Sequence, residues 1–409
     1  MAWLSLPMDH TSRVQLGVDS GNVRDDTSGM LLDSGQSDKE LLATWREVAG
    51  VIFAVALPSP LGDPELICHS PSALLALGMS TPPAATELCG NVLPDAAFPA
   101  AHCYCGHQFG LFAGQLGDGA AISLGDVLTP SGTLIELGLK GAGPTPFTRA
   151  DVGTGRKQVS SAVVEMLVAE SLAALGVPTS RGLGVVAGKA EDGDGCAVLA
   201  RSALSFLRFG SFEVTLPRNH DKTGRHAPSA GDSALLRRLA DYVIGRHFGH
   251  LAGSQYEDEE EDDAELRAAP RYSQLIFEMT SRTARLAAAW QLLGACHGML
   301  NSDNIAVSGE TIDHGSFACM DHASPAFAGR YSLPDSRYRY ENQPAEALQA
   351  CQRLVVTLQP LHCTRAREMQ ESVAAAFEDA YQRAYNEGMR RKLGLCNANP
   401  ALADGLVSL

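Results

Sequence analysis

The segment His297-Gly-Met-Leu-Asn-Ser-Asp-Asn304, followed by Ile312-Asp313-His314-Gly315, gathers the side chains best suited to chemistry. A loop of the form HxDxxxxN that leads through a short hairpin to a second Asp is a phosphate-transfer signature. In it, the Asn and the later Asp hold the metal ions that bridge a nucleotide's phosphates. Asn304 and Asp313 stand at those two positions, and residues 305–311 supply the hairpin. Where the signature has its proton-accepting Asp, this chain has Met299. A thioether neither accepts a proton nor orients a hydroxyl. Asp303 is the only carboxylate of the loop and its natural replacement. The loop therefore has metal ligands without the usual base: either it is silent, or it serves a different transfer.

The first half of the chain offers groups for the other side of a nucleotide. Gly114-Gln-Leu-Gly117-Asp118-Gly119 is a glycine-rich turn whose backbone N–H groups can approach phosphate closely. Lys140 ends an alternating apolar segment, a place where a lysine is more often simply at the surface. Glu165 and Glu170 fall on different faces of one helix, so at most one of them reaches Lys140. Arg201 and Arg208 interrupt an apolar stretch, where a charge is costly unless paired. A phosphate chain or a structural carboxylate would serve them equally well.

Elements to carry these residues are legible around them. The alternation over 134–140 ends in Gly141-Ala-Gly143 and predicts a strand and a turn. A helix is predicted over 159–175, capped by Ser160 or Ser161 and stopped by Gly176 and Pro178. Strands are expected over 51–57, 197–201 and 206–212, and a polar connection over 217–230. The second half reads as helices over 235–248, 272–293, 345–358 and 364–393. The acidic run over 257–263 reads as a solvated loop. Strands first and helices second predict an α+β, protein-kinase-like bilobal fold with a cleft between its lobes. The expected division is a disordered tail over 1–40, a nucleotide-binding N-lobe over 41–215 and a helical C-lobe over 216–409 with the metal loop.

Composition narrows the function. The 409 residues carry a net charge of -15, which argues against duplex DNA as a partner, because such binders need clustered Lys and Arg. It leaves room for a local basic pocket. Ten cysteines without regular spacing, Cys103 and Cys105 included, read as free thiols in a reducing compartment. No apolar run approaches the ~20 residues of a membrane span. A soluble, intracellular monomer without nucleic-acid or membrane partners is expected.

Longer motifs identify a resemblance. Gly106-His-Gln-Phe-Gly110, Ala113-Gly-Gln-Leu-Gly-Asp-Gly119, Leu139-Lys-Gly-Ala-Gly143 with Thr145-Pro146, and Leu175-Gly-Val-Pro-Thr179 are similar to selenoprotein-O-like (YdiU-like) proteins. So are Leu207-Arg-Phe-Gly-Ser-Phe-Glu213, the 297–304 loop, Thr311-Ile-Asp313, Gly329-Arg-Tyr-Ser332, Gln343-Pro344 and Met389-Arg-Arg-Lys-Leu-Gly394. The likeness covers roughly residues 50 to 395, in order. It implies a kinase-like fold, often called a pseudokinase, that binds ATP in an inverted orientation and transfers AMP to protein hydroxyls with magnesium or manganese. It further implies that Lys140 contacts phosphate and Glu165 holds it, that Gly117, Gly119 and Gly155 approach the nucleotide, and that Arg201 and Arg208 clamp phosphate. Asp303 becomes the proton acceptor, with Asn304 and Asp313 as metal ligands. An inverted nucleotide also accounts for Met299, since a base placed for the γ-phosphate would be misplaced for the α-phosphate.

Four features depart from the family pattern. Ala120 replaces the Arg of its Gly-Asp-Gly-Arg turn, and Thr154-Gly155-Arg156 replaces Asp-Gly-Arg, with Asp151 nearby to compensate. Asp313-His-Gly-Ser316 replaces Asp-Tyr-Gly-Pro, and the likeness ends soon after Leu395, a C-terminus shortened relative to the family. Cys396 is not read as the family's terminal selenocysteine or cysteine. Alongside the adenylyltransferase stand a catalytically silent ATP-binding pseudokinase and an ordinary kinase-like phosphotransferase. The family's eukaryotic members suggest a mitochondrial location; the cytoplasm is the other.

Overall fold

The structure is a computed structural model. It describes the backbone of residues 14–16 and 30–32 and residues 52–395, apart from 96, 150–152, 219–222, 253–263, 331–336 and 363. The expected tail, the acidic run over 257–263, Asp151 and Cys396 therefore lie largely or wholly outside the described residues. Two compact units make up the chain, residues 1–242 and 243–409.

The first unit begins with a short antiparallel ladder, β1 (Val14–Leu16) with β2 (Met30–Leu32). Its main feature is a seven-stranded sheet of β3 (Phe53–Val55), β4 (Gly62–His69), β5 (Ala100–His102), β8 (Ala121–Leu128), β9 (Leu134–Lys140), β10 (Arg181–Lys189) and β11 (Gly195–Ala203). The spatial order is β3-β5-β8-β9-β11-β10-β4, and every neighbouring pair is antiparallel. A separate hairpin joins β6 (Cys105–Gln108) and β7 (Leu111–Gln115). On one sheet face, Leu137, Leu139, Ile122, Val186 and Val198 form a buried core with Leu74 and Leu77, from α1 (Pro71–Ala76) and its end, and Leu88 of α2 (Ala85–Leu88). Against the other face lies α3 (Val159–Ala174), through Ala162 and Met166 on Val185, Ala197 and Leu199.

The strand over 134–140 and the helix from 159 stand where their periodicity put them. Gly176, with φ of 76°, ends α3 as expected, its N–H donating to Ala173 and that of Val177 to Leu172. The capping expectation fails. Gln158 occupies the N-cap without a side-chain bond, and Ser161 Oγ accepts from Lys157 Nζ instead. The strand expected over 206–212 is also absent. Those residues form a loop and one helical turn, α4 (Phe209–Phe212), with Arg208 at its N-cap. Their run of buried aromatics comes from depth and not from pleating: Phe206, Phe209 and Phe212 are all buried. Ten cysteines were expected as free thiols; among the described residues eight are free, and burial pushes Cys103 and Cys351 up to about 12.

α5 (Ser233–His247) runs across the division between the units. The second unit then has α6 (Ala264–Leu293), α7 (Gln343–Thr357) and α8 (Ala366–Lys392), with α6 packed on both of the others. α6 starts earlier than expected, with Pro270 inside its first turns. α8 buries Met369, Val373, Phe377 and Ala380, one stripe at helical spacing. The ladder of β12 (Ala295–Cys296) with β13 (Ala318–Cys319) brackets the loop that carries the metal-ligand candidates. Among the described residues, no helix is long and apolar enough to cross a membrane.

Candidate active site

Within the first unit the sheet register sets which side chains share a face. Lys140 pairs with Leu199 and Gly138 with Arg201. The pleat therefore puts Lys140 and Arg201 on the face that α3 covers. Glu165 lies in the buried stripe of α3, and Lys140 Nζ stands 3.0 Å from its Oε2. Glu170, on the other side of the helix, takes Ser70, the Gly182 N–H and Arg181, whose Nη2 lies 2.7 Å away. Burial acting alone would raise the Glu170 carboxyl; the bonds from Arg181 and Ser70 outweigh it and hold the group below its ordinary value. Glu165 also receives a group the sequence reading missed: Lys157 Nζ, 2.5 Å from Oε1. Its signal was its place one turn before Ser161 and two turns before Glu165, on one side of the helix start.

The glycine-rich turn is shaped by its neighbours in the chain. A Cβ on Gly117 would stand 2.4 Å from Phe147 Cγ, and one on Gly119 would stand 3.1 Å from Phe147 O. Thr145 Oγ1 donates to Asp118 O at 2.7 Å and Thr148 Oγ1 to Gly119 O at 2.5 Å. The turn's carbonyls are thus fixed inward by two threonines. Gly155, with φ of 71°, would bring a Cβ within 2.2 Å of Gly143, and Gly143 N–H donates to Gly155 O. Arg156, next along, spends its guanidinium on the carbonyls of Ser59 and Pro60. Ala120 contributes its carbonyl to Gly141 N–H at 2.6 Å.

The two arginines differ. Arg208 Nη2 meets Asp118 Oδ1 at 3.2 Å, both side chains are buried, and the guanidinium lies 4.1 Å from the centre of the Tyr104 ring. A structural carboxylate is therefore present for Arg208. Arg201 lies 4.1 Å over the Phe206 ring, and its buried Nε has no hydrogen-bond partner. Among the described residues no carboxylate pairs with it.

In the second unit, His297 starts the loop and is fully buried. Its N–H donates to Gln343 Oε1 at 2.7 Å, while Gln343 Nε2 donates to Ala295 O at 2.9 Å. Its ring Nε2 donates to Ile312 O at 2.9 Å, tying the loop to the residue before Asp313. Burial holds the imidazole below its ordinary value, so at neutral pH it is an uncharged strut. A Cβ on Gly298 would stand 2.8 Å from Gly329 Cα and 2.7 Å from Ser316 O, and Arg330 N–H donates to that same carbonyl. Three backbone segments thus cross there, which explains why both glycines stand within longer motifs. Met299 contributes its carbonyl, which accepts from Asn301 N–H at 2.9 Å and from Asn304 Nδ2 at 2.8 Å.

That last bond occupies the Asn304 amide nitrogen and leaves Oδ1 as the acceptor end of the side chain. Asp303 and Asn304 are buried in one 3₁₀ turn. Asp313 is left-handed, φ 59° and ψ 61°, a conformation that aspartate adopts more readily than most residues other than glycine. Among the described residues, no group of three or more His, Cys, Asp or Glu side chains is placed to hold a metal ion. A cation on Asn304 and Asp313 would rest on two oxygen donors and complete its shell with phosphate oxygens and water. That donor set suits magnesium, which keeps much of its own water.

The family model described as Protein adenylyltransferase SelO matches residues 69–409. This chain belongs to the SelO family. The SelO-family chain is 40% identical over 382 residues to the human protein named Protein adenylyltransferase SelO, mitochondrial, covering 89% of this chain and 55% of that one. The mouse protein of the same name is 40% identical over 380 residues, 87% of this chain and 54% of the relative. A Bradyrhizobium diazoefficiens protein named Protein nucleotidyltransferase YdiU is 38% identical over 355 residues, 84% and 67% of the two chains. The chain thus spans about half the length of the animal relatives it matches.

Proposed function

We propose that this chain transfers AMP from ATP to Ser, Thr or Tyr hydroxyls of proteins, with magnesium or manganese, on a kinase-like bilobal scaffold. The observation that carries the proposal is the Lys140–Glu165 pair, a strand lysine held by a helix glutamate that packs on the same sheet. Kinase-like enzymes hold their phosphate-binding lysine in this way. The names of the human, mouse and bacterial relatives support nucleotidyl transfer as the reaction.

In this reading Lys140 meets phosphate, and the backbone at Gly117, Gly119 and Gly155 lines the nucleotide. Arg201 and Arg208 clamp the terminal phosphates, Arg201 with the fuller charge because no described carboxylate neutralises it. Asn304 and Asp313 would hold the metal, which would supply charge stabilisation to the phosphates. The acceptor hydroxyl oxygen bonds to the α-phosphorus, the bond to the β-phosphate oxygen breaks, pyrophosphate leaves, and Asp303 takes the hydroxyl proton. Met299 weighs against γ-phosphate transfer, since no base stands at its position. Intracellular proteins are the substrates, in the mitochondrion, as the animal relatives' names suggest, or in the cytoplasm. A second reading, ATP binding without transfer, draws on Ala120, which has a methyl group where the family has a charged arginine side chain.

Separate incubations with ATP labelled on the α- and γ-phosphates decide the matter. Label from the α-phosphate is expected on protein and label from the γ-phosphate is not. Asp303→Ala should remove most of the transfer with the melting temperature little changed. Protein labelled only from the γ-phosphate would make the chain a kinase; no labelling despite ATP binding would favour the silent reading.

A further inference from the structure

Lys157 belongs to no motif that bears on chemistry, yet it ends on the same carboxylate as Lys140. Its Nζ lies 2.5 Å from Glu165 Oε1 and 2.9 Å from Ser161 Oγ. Lys140 Nζ lies 3.1 Å from that same Oε1 and 3.0 Å from Oε2. The three side chains are largely buried, with 11% of Lys157, 18% of Lys140 and 5% of Glu165 exposed. The Lys157 backbone is pinned as well. Its carbonyl accepts from Ala197 N–H of β11 at 2.7 Å, and a Cβ on Gly141 would touch Lys157 Cβ at 2.6 Å.

We infer that Lys157 is a positioning residue for phosphate binding: it keeps Glu165 paired while Lys140 turns to a phosphate oxygen. The inference rests on the reading above, in which Lys140 meets the nucleotide. A buried carboxylate deprived of its only cation is strongly unfavourable. Without Lys157, each phosphate contact that Lys140 makes would weaken the positive charge held on Glu165. With Lys157 on Oε1, Lys140 can loosen its contacts and the carboxylate remains charged, bonded and in place. Ser161 Oγ fixes the Lys157 ammonium from the helix side, so Lys157 itself does not follow the phosphate. The two lysines thus divide the work, one holding the carboxylate and the other reaching the ligand. A tie that only fastened the start of α3 to β11 would instead affect all ligands alike.

Calorimetric titration with ATP and, separately, with adenosine distinguishes these. In Lys157→Met the Kd for ATP is expected to rise about tenfold, with adenosine affinity within about twofold of wild type. Lys157→Arg should restore most of the ATP affinity, because it replaces the cation and reaches the same oxygen. Ser161→Ala keeps all three charges and serves if Lys157→Met fails to fold; it should weaken ATP in the same sense and leave adenosine alone. Equal ATP affinity in wild type and Lys157→Met would overturn the inference and leave the proposed function standing. Parallel weakening of ATP and adenosine in Lys157→Met and Ser161→Ala would do the same. A wild-type protein that binds no ATP would remove the proposed function itself, and the inference with it.

Discussion

Asp313 is the residue on which metal and nucleotide are expected to meet. Its left-handed backbone is sustained by the turn that follows, where Phe317 N–H donates to His314 O. Replacing it by alanine removes the carboxylate proposed to hold the metal. ATP with magnesium should raise the melting temperature of the wild type by more than ATP with a chelator. Asp313→Ala should keep the chelator-resistant part of that shift and lose the rest. A full metal-dependent shift in the mutant would move the metal elsewhere. At this scale the sequence was informative where a residue type has few uses in its setting. At most one of Glu165 and Glu170 could face Lys140, and in the structure it is Glu165, while Arg181 and Ser70 occupy Glu170. Lys157 was harder to read, since its spacing to Ser161 and Glu165 is a weak signal and a lysine before a helix is ordinarily solvated; its bridge to Ala197 brings it inward.

Among the elements, the connection between β9 and α3 brings two glycines into close opposition. Gly155 opposes Gly143 so closely that a methyl group has no room, and its φ of 71° is one that alanine rarely adopts. Gly155→Ala should therefore cost more than about 2 kcal/mol in chemical denaturation, whether or not nucleotide contacts are made there. A loss below about 0.5 kcal/mol would show that the turn relaxes. Elements with clean periodicity, β9 and the helices of the second unit, were legible to within a few residues at most ends. The loop over 206–212 was not, because a run of buried aromatics looks alike in a strand and in a packed turn. Strand β10 escaped notice for a related reason: Gly182, Gly184 and Gly188 dilute its apolar pattern, and these glycines exist for close contacts with Met166, Leu88 and Leu61.

For the molecule as a whole, acid is the expected weakness of the second unit. Burial holds both His297 and His362 below the ordinary imidazole value of 6.5. Unfolding releases them to that ordinary value, so the unfolded chain binds protons first as pH falls. Stability is then fully present above about pH 6.5 and declines below it, by about 1.4 kcal/mol per pH unit for each histidine until the folded form also protonates. Denaturation midpoints measured between pH 8 and 5 should fall only in the lower half of that range. His362→Gln should shallow the decline, and an unchanged slope in that variant would locate the acid sensitivity elsewhere. A different kind of fragility follows from the crossing of Gly298, Gly329 and Ser316. A glycine codon mutates by any missense change to a residue with a Cβ, and at Gly298 and Gly329 that atom would stand 2.7 and 2.4 Å from the Ser316 carbonyl. Neither position has a conservative alternative, so in a saturation library selected for folded protein both should come back as columns in which only glycine survives.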